Sequence, residues 1–365
     1  MDINFSDPAL YNIYQKVANR ERLDLEDGLV LYRSDDLTGV GRLADIERKR
    51  RYERNTFYVY NQHLNYTNVC INRCLFCGFS RDEGEEGAYT FSLNDIDEHI
   101  RSRLHEPVRE VHVVGGLNPA LPFSYYVDLL GLIRDLRPDA TLKAFTAVEI
   151  DFISRIAGFG IKETLRELKR AGLAMMPGGG AEVLNERIHR SLYPKKIGPE
   201  RWLEVIKAAH EMGITTNATM LYGHIETLKE RVMHLIALRH LQDETGGITA
   251  FIPLSFHPEK TRLSHLPPNV GVDDLKTVAV SRLMLDNVPH IKAYWVMVTP
   301  GLAQVAMSFG ADDLDGTIIE EKITHMAGAK TPKGISCNNM RNLILSGGFR
   351  PVERDAFYNC GIYNP

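Results

Sequence analysis

The chain has 365 residues, of which 44% are hydrophobic, and its formal net charge at pH 7 is −4. This length predicts one elaborated barrel or two small domains, either of which buries a large core. The slightly acidic balance without a basic tract argues against a nucleic-acid partner and favours a small molecule, and the lack of a membrane-spanning apolar run or a signal-peptide pattern at residues 1–4 predicts a cytoplasmic protein with no membrane partner.

The first sixty residues form the first predicted unit. From residue 7 to residue 60 the pattern is helical and strongly charged, and it contains the basic run 48–51. A solvated helix face leading into the core is the simplest interpretation of such a run, and an anionic partner is the alternative. We therefore predict an N-terminal helical extension at residues 1–60.

Beyond this extension, strand-like and helix-like segments alternate along the chain. Strands are predicted at residues 64–69, 111–114, 142–145, 173–176, 214–221, 248–254, 291–297 and 312–315. Two of the intervening helices, at 200–212 and 273–287, show apolar residues at helical spacing. Such alternation predicts parallel strands joined by helices, and eight strands predict an α/β fold of the (β/α)8 barrel type at residues 61–330. The C-terminal segment 331–365 is predicted to pack on the barrel.

A run of three cysteines follows the first predicted strand. Cys70, Cys74 and Cys77 have C-x3-C-x2-C spacing, with an aromatic residue before the last cysteine. A [4Fe-4S] cube has four irons and cysteine thiolate is their usual ligand, so three local thiolates leave one iron open. Zinc needs a fourth ligand, for which His63 is a weak candidate, and a disulfide leaves one thiol over. Unconnected, buried cysteines are the remaining alternative.

The other two cysteines, Cys337 and Cys360, lie far from this run, near the C-terminus. Ordinary packing is the simplest interpretation of both, and redox or metal chemistry is the alternative. We do not expect either of them to be the fourth ligand of the cluster.

The cysteine run resembles the signature of the radical S-adenosylmethionine superfamily, whose members bind the amino and carboxylate groups of that cofactor at the open iron. The resemblance implies a [4Fe-4S] cluster held by Cys70, Cys74 and Cys77, with S-adenosylmethionine as a co-substrate. It also implies a low-potential electron donor, such as flavodoxin or ferredoxin, and reductive cleavage that releases a 5'-deoxyadenosyl radical. Phe76 would lie near the adenine, and a core aromatic that packs the loop is the alternative.

The loops after the second and fourth predicted strands are rich in glycine, which lets backbone approach a ligand closely. Gly115 and Gly116 resemble the Gly-Gly-Glu motif with which the superfamily holds the methionine amino group. Leu117 replaces the acidic residue, so the expectation rests on the glycine backbone alone, and a plain turn uses the same glycines. After the fourth strand, three consecutive glycines precede Glu182, which is the candidate partner of the ribose hydroxyls.

A carboxylate and an imidazole follow the third and sixth predicted strands. Glu149 is a candidate acid/base group or hydrogen-bond partner for sugar hydroxyls, and a structural carboxylate is the alternative. His257 is the second catalytic candidate, although a loop or core histidine is the simpler interpretation of this residue. Both follow predicted strands, and functional groups of such barrels collect at the carboxyl ends of the strands.

The segment at and after the fifth predicted strand is similar to the superfamily's G-x-I-x-G-x-x-E element, which lies beside the adenine. Thr219 stands for the first glycine and Leu221 for the isoleucine, whereas Gly223 and Glu226 match the pattern. The motif is loose, and its value comes from its order, since it follows the cysteines after the appropriate number of βα units. The resemblance therefore implies that Thr219, Gly223 and Glu226 contribute to cofactor binding.

Longer phrases resemble one branch of the superfamily. Residues 65–68, 177–182, 221–226, 252–258 and 310–317 are similar to the group that makes menaquinone by the futalosine route and to its deazaflavin-forming relatives. Residues 79–85, 143–151 and 320–329 are similar to the aminofutalosine synthases of that group. One departure is His189, where an arginine is expected, so a ligand role for that arginine does not carry over.

The resemblance implies that the adenosyl radical adds to the enol-ether double bond of 3-[(1-carboxyvinyl)oxy]benzoate, followed by aryl migration and loss of carbon dioxide. The product would be 6-amino-6-deoxyfutalosine, with methionine released. Partners for the two substrate carboxylates would be Arg81, His257, Lys292 and Arg341, with structural salt bridges as the alternative for each. Other interpretations are dehypoxanthine futalosine cyclase, a deazaflavin-forming relative, a noncatalytic iron–sulfur or electron-transfer protein, and a zinc-stabilised binding barrel.

Overall fold

The computed structural model describes residues 4–318 and 322–360. Residues 320 and 321 of the phrase at 320–329, and the outermost residues of both predicted terminal segments, lie outside the described residues. Among the residues described, no helix combines the length and the apolar character that crossing a bilayer requires.

Three helices precede the first strand. They are α1 Leu10–Asn19, α2 Leu25–Arg33 and α3 Leu37–Tyr52. The helical pattern predicted through residue 60 is wrong for residues 55–59, which form strand β1. The boundary of the N-terminal extension at residue 60 stays a prediction. Helix α2 begins at a capping box, in which the side chain of Asp24 accepts from the backbone N–H of Asp27 and the side chain of Asp27 accepts from that of Asp24.

The prediction of a solvated basic face on α3 is wrong for Arg48. This side chain is fully buried, and its guanidinium donates to the carbonyl oxygens of Glu53, Asn55 and Ala311 at 2.8–2.9 Å. Arginine has five N–H donors, so one side chain satisfies several buried carbonyl groups. Arg48 therefore joins the end of α3 to the strands that follow it.

Seven parallel strands form the main sheet, and each pairs with its neighbours in chain order. They are β2 Asn61–Leu64, β3 Glu110–Val113, β4 Thr141–Ala144, β5 Met175–Met176, β6 Thr215–Tyr222, β7 Ile248–Ser255 and β8 His290–Ile291. A second, three-stranded sheet contains β1 Asn55–Val59 between β9 Asp313–Gly316 and β10 Arg350–Glu353. The alternation of strands and helices confirms the α/β barrel-type fold.

Helices connect and cover the strands. They are α4 Leu93–Arg101, α5 Phe123–Leu136, α6 Ala147–Ala157, α7 Ile161–Ala171, α8 Glu186–Leu192, α9 Pro199–Glu211, α10 Leu228–Thr245, α11 Gly271–Met284, α12 Trp295–Val298, α13 Pro300–Ala306, α14 Ile323–Ala327 and α15 Cys337–Ser346, with a 3-10 turn at Met307–Phe309. The helices predicted at 200–212 and 273–287 correspond to α9 and α11. In α9 the buried residues lie on one face, because the sequence spaces them at helical intervals. Helix α11 is instead buried at every position from Thr277 to Met284, so it is covered on all sides.

The eighth predicted strand exists as β9, but it hydrogen-bonds mainly outside the seven-stranded sheet. Beside β8, the backbone N–H of Ala293 donates to Asp313 at 2.8 Å, and that of Asp312 donates to Ile291 at 3.0 Å. On its other side β9 pairs with β1, which runs directly into β2. Strand β9 therefore lies between the last and first strands of the main sheet and connects its two edges.

Two other predicted strands differ from the structure. The strand predicted at 64–69 ends at Leu64, and the following residues form isolated bridges within the loop, Thr67 with Thr90 and Val69 with Arg81. The strand predicted at 291–297 corresponds to β8, which ends at Ile291, and helix α12 occupies the second half of the remainder, from Trp295 onward. A short apolar run cannot distinguish a buried strand from a buried helix or loop, which explains both errors.

Candidate functional site

A cavity of about 350 Å³ opens at the carboxyl ends of the parallel strands. Its lining includes side chains from the loops after β2, β3, β4 and β5, and from within β6 and β7. This is the position at which a parallel barrel collects its functional groups, because each strand delivers its following loop to the same face. Nine of the predicted site residues line the cavity, namely Cys70, Cys74, Phe76, Cys77, Gly115, Glu149, Glu182, Thr219 and His257.

The three cysteines occupy one wall of the cavity. Their loop is held by backbone hydrogen bonds from Cys70 to Arg81 at 3.0 Å and from Cys77 to Cys74 at 3.1 Å. Burial raises the pKa of the Cys74 thiol to about 12, although Lys196 nearby favours the thiolate. A metal centre bound here would displace the thiol protons, because the thiolate is the ligand form.

The donor set fits an iron–sulfur cluster better than a single ion. Among the described residues, no group of three or more His, Cys, Asp or Glu side chains is arranged to hold one metal ion. A [4Fe-4S] cluster does not need three side chains that meet at one point, because each thiolate binds a different iron. A Cβ on Gly116 would lie 2.1 Å from the carbonyl oxygen of Val69 and 3.0 Å from the Cβ of Cys70, so the glycine permits the cysteine loop to approach closely.

Phe76 packs against a tyrosine and a buried lysine. Its ring packs edge-on against Tyr193, with the centroids 5.8 Å apart, and the Nζ of Lys196 is 5.5 Å from its centroid. Lys196 is ion-paired with Glu182, and both side chains are about nine-tenths buried. Lys196 therefore contacts two predicted cofactor-binding residues, Phe76 and Glu182, although it was not itself a predicted site residue.

The loop after β5 comes very close to β6. A Cβ on Gly178 would lie 2.4 Å from backbone atoms of Asn217, and the hydroxyl of Thr219 donates to the carbonyl of Gly178 at 3.0 Å. Glu182 adopts a φ of +47°, a region that non-glycine residues rarely enter. The glycines are thus required by the packing of this loop, and the prediction that Thr219 and Glu182 bind the cofactor stays a prediction.

Glu149 is buried at the N-terminus of α6 and accepts four hydrogen bonds. The donors are the hydroxyl of Tyr66 and the backbone N–H of Gly115, both at 2.9 Å, and the backbone N–H and hydroxyl of Thr146, both at 2.8 Å. Burial raises the pKa of Glu149, while these hydrogen bonds act in the opposite direction. The carboxylate fixes the position of the Gly115 backbone, and its catalytic role stays a prediction.

His257 lies where the main cavity meets a second cavity of about 330 Å³. Its Nε2 is 3.0 Å from the carbonyl oxygen of Met297, an acceptor that requires the proton to be on Nε2. The Nδ1 atom is then the acceptor of the ring. The structure brings this candidate to the cavity but gives it no contact with the cysteines.

Gly223 and Glu226 do not line the cavity. Glu226 accepts from the backbone N–H of Gly223 at 2.5 Å and from Arg231 at 2.8 Å. Burial alone would raise the pKa of Glu226, but the hydrogen bond and charge of His224, together with Arg231, lower it to about 2. Gly223 has a φ of +90°, and a Cβ there would meet Asn269 at 1.9 Å. Both residues shape the turn after β6.

The predicted substrate-binding cations also lie outside the lining. Arg81 donates to the carbonyl oxygens of Gly78 and Ser80 at 3.1 and 2.9 Å, so it supports the cysteine loop. Lys292 is buried and paired with Asp315, whose side chain does line the cavity, at 3.1 Å. Arg341 lies on α15. Their substrate roles stay predictions. The ion pairs of Arg81 with Glu85, at 3.7 Å, and of Lys292 with Asp315 match the structural alternative.

Several cavity residues were not among the predicted site residues. They are His112, Lys143, Lys196 and Asn217. His112 and Lys143 are polar residues at inward positions of apolar strands, and this pattern is a signal that the sequence contained. Lys196 has no such signal, because its partner Glu182 is fourteen residues away in a loop of irregular backbone. Cys337 and Cys360 are absent from the described lining of the cavity.

Two family models match the chain. The model of the radical SAM superfamily matches residues 64–237, and the model of the CofH/MqnC C-terminal region matches residues 245–362. Together they extend from the end of β2 to the C-terminal segment.

Similar proteins agree with these matches. Aminodeoxyfutalosine synthase of Thermus thermophilus is 47% identical over 96% of this chain and 96% of its own length. Aminodeoxyfutalosine synthase of Streptomyces coelicolor is 42% identical over 94% of this chain and 92% of its own length. The crystal structure of methylornithine synthase superposes with a TM-score of 0.74 over 93% of this chain and 97% of that chain, at 16% identity, and it shows the likeness of fold alone.

Proposed function

The chain belongs to the radical S-adenosylmethionine superfamily, and from this premise we propose that it is an aminodeoxyfutalosine synthase. The reaction joins the 5'-deoxyadenosyl group of S-adenosylmethionine to 3-[(1-carboxyvinyl)oxy]benzoate, with loss of carbon dioxide and release of methionine, to give 6-amino-6-deoxyfutalosine. The observation that carries the proposal is the 47% identity over 96% of both chains with a relative of that name.

The cofactors follow from the superfamily and from the thiols of this chain. Cys70, Cys74 and Cys77 would hold a [4Fe-4S] cluster, and Phe76, Gly115, Gly116, Glu182, Thr219, Gly223 and Glu226 are the proposed S-adenosylmethionine residues. When bound, the cluster supplies the electron that cleaves the sulfonium C–S bond. That electron comes from a low-potential donor such as flavodoxin or ferredoxin. The reaction as a whole neither oxidises nor reduces its reactants, so one electron must leave again as the carboxylate is lost as carbon dioxide and the ketone forms, and the oxidised cluster or donor would accept it.

The residues of the chain bind, orient and shield the reactants. The cavity wall between the polar groups is apolar, with Val114, Leu221, Ile252 and Leu254 in the lining. Such a wall accepts an aromatic ring and excludes water, which protects a radical from side reactions. The hydroxyl group of Tyr66 donates a hydrogen bond to Glu149, so its hydrogen atom points to the carboxylate. Glu149 keeps Gly115 in position, and His257 at the junction of the two cavities is the second candidate for proton transfer.

Anaerobic turnover tests the proposal. The reconstituted protein, dithionite, S-adenosylmethionine and 3-[(1-carboxyvinyl)oxy]benzoate should yield a product that retains the adenosyl group, as measured by liquid chromatography and mass spectrometry. Free 5'-deoxyadenosine as the main product would instead favour a hydrogen-abstracting relative such as dehypoxanthine futalosine cyclase, which the CofH/MqnC family match makes the second candidate. An EPR spectrum of the reduced protein that S-adenosylmethionine leaves unchanged would contradict the open iron.

A further inference from the structure

The deep end of the cavity contains a row of three polar side chains. His63 of β2, His112 of β3 and Lys143 of β4 are partners in register, and all three line the cavity. The rings of His63 and His112 stack with their centroids 4.6 Å apart and their planes 9° apart. The cysteines lie in the loop beyond the carboxyl end of β2, so the row is deeper in the barrel than the cysteine wall.

Ion pairs surround this row. The pairs are Lys143–Glu110 at 2.5 Å, Lys292–Asp315 at 3.1 Å and Arg354–Asp313 at 2.6 Å. All six side chains are at most 9% exposed. Among the described residues, these three cations and three carboxylates balance one another, so the described part of the region is close to neutral when the histidines are neutral. An added anion would leave one unbalanced negative charge away from water, which is unfavourable unless a proton enters with it.

His112 is the group best placed to take that proton. Its ring is half-buried, lines the cavity and has no hydrogen-bond partner among the described residues. The charged and titratable groups that act on it are Lys143, His63, Asp315 and Lys292. Burial and the charge of Lys143 lower the pKa of His112 well below its ordinary value, so the ring is neutral before an anion binds.

We propose that the row of His63, His112 and Lys143 is the subsite for the ring carboxylate of the substrate, and that His112 takes up a proton when this carboxylate binds. The inference rests on the proposed function. The enol-ether end must lie towards the cysteine wall, where the adenosyl group is transferred, so the benzoate end faces the deep row. The lining of the same cavity also contains the apolar residues Val114, Leu221 and Leu254, against which the aromatic ring would pack.

Calorimetry measures this proton. The reconstituted protein with S-adenosylmethionine, without reductant, is titrated anaerobically with 3-[(1-carboxyvinyl)oxy]benzoate at one slightly alkaline pH. Buffers of different ionisation enthalpy give the number of protons taken up, and we expect about one per substrate. The analogue with a benzamide in place of the benzoate should bind about 10- to 100-fold more weakly, without proton uptake, because it lacks the charge-assisted hydrogen bond.

A variant assigns the proton to one ring. His112→Asn should abolish proton uptake and should bind benzoate and benzamide with similar affinity. The control is His240→Asn, which removes an exposed imidazole on α10 and should behave as the wild type. Retention of proton uptake in His112→Asn would overturn the assignment to His112.

The wild-type comparison decides the subsite even if His112→Asn does not fold. Equal binding of benzoate and benzamide by wild-type protein, with no proton uptake, would overturn the subsite. If the same preparation still forms the adenosyl product once dithionite is added, only this inference fails. If the preparation neither binds nor converts the enol ether, the proposed function fails, and this inference fails with it.

Discussion

Replacing Lys196 with methionine is expected to lower the free energy of unfolding by about 3–5 kcal/mol. The side chains of Lys196 and Glu182 are only 8% and 10% exposed and form an ion pair beside the cysteine loop. Methionine keeps an unbranched apolar side chain but leaves the carboxylate of Glu182 buried without a partner. The cost is large because that charge then lacks both water and a counter-ion.

The structure also gives a matched exposed pair. Lys207 and Glu244 lie 2.5 Å apart with side chains 48% and 56% exposed, so Lys207→Met should cost only about 0–1 kcal/mol. A domain is stable by about 5–15 kcal/mol, so the loss in Lys196→Met is a large part of the total. We expect its melting temperature to fall by about 4–7 °C, because the entropy of unfolding of a chain of 365 residues is large.

Chemical and thermal unfolding of the reduced, metal-free protein, followed by circular dichroism, measures these values. A double-mutant cycle of Lys196→Met with Glu182→Gln should give a coupling energy of about 1.5–3 kcal/mol. Additive effects, with a loss in Lys196→Met no larger than that in Lys207→Met, would refute the reasoning that the pair acts as a buried unit.

Three further predictions concern packing, acid stability and the metal. Gly178→Ala should destabilise the fold by about 1–3 kcal/mol in urea unfolding, because the new Cβ would lie 2.4 Å from the backbone of β6. The control is Gly131→Ala on α5, where the new Cβ meets no atom within 4 Å and should stabilise the fold by up to about 1 kcal/mol. The pKa of Glu226 is lowered from 4.5 to about 2 in the folded state, so this carboxylate stabilises the fold above pH 4.5 and the stabilisation is lost as the pH falls towards 2. Between these two pH values, the free energy of unfolding of the wild type should fall by about 3 kcal/mol more than that of Glu226→Gln. After anaerobic reconstitution, Cys74→Ser should retain much less iron than the wild type, while Cys360→Ser, at an exposed site, should retain the wild-type content.

Each of these predictions has a contradicting result. Equal stability of Gly178→Ala and Gly131→Ala would mean that the loop after β5 does not approach β6 as the structure shows. A parallel acid profile for the wild type and Glu226→Gln would contradict the role of hydrogen bonds in lowering that pKa. Full iron content in Cys74→Ser would remove this cysteine from the ligand set.

Local patterns allowed part of the fold and site to be predicted. Strands β3, β4, β6 and β7 were predicted to within one residue at each end because apolar runs bounded by polar loops carry a local signal. The boundaries of strands β2 and β8 were not predicted. Strand β2 is followed by a loop that forms bridges within itself, and β8 is followed by the buried helix α12, and neither feature has a local signal. Likewise, the sequence could not show that Arg48 satisfies carbonyl groups from three separate positions.

The sequence by itself determined the spacing of the three cysteines, the alternation of strands and helices, and the glycine-rich loops, since spacing and backbone freedom are properties of neighbouring residues. Only the tertiary structure decided which charges meet. It paired Lys196 with Glu182, stacked His63 on His112, and used β9 to connect the edges of the sheet. Strand register and the curl of the sheet set these long-range contacts. Because the paired charges are buried, removing one partner of a pair lowers the free energy of unfolding strongly.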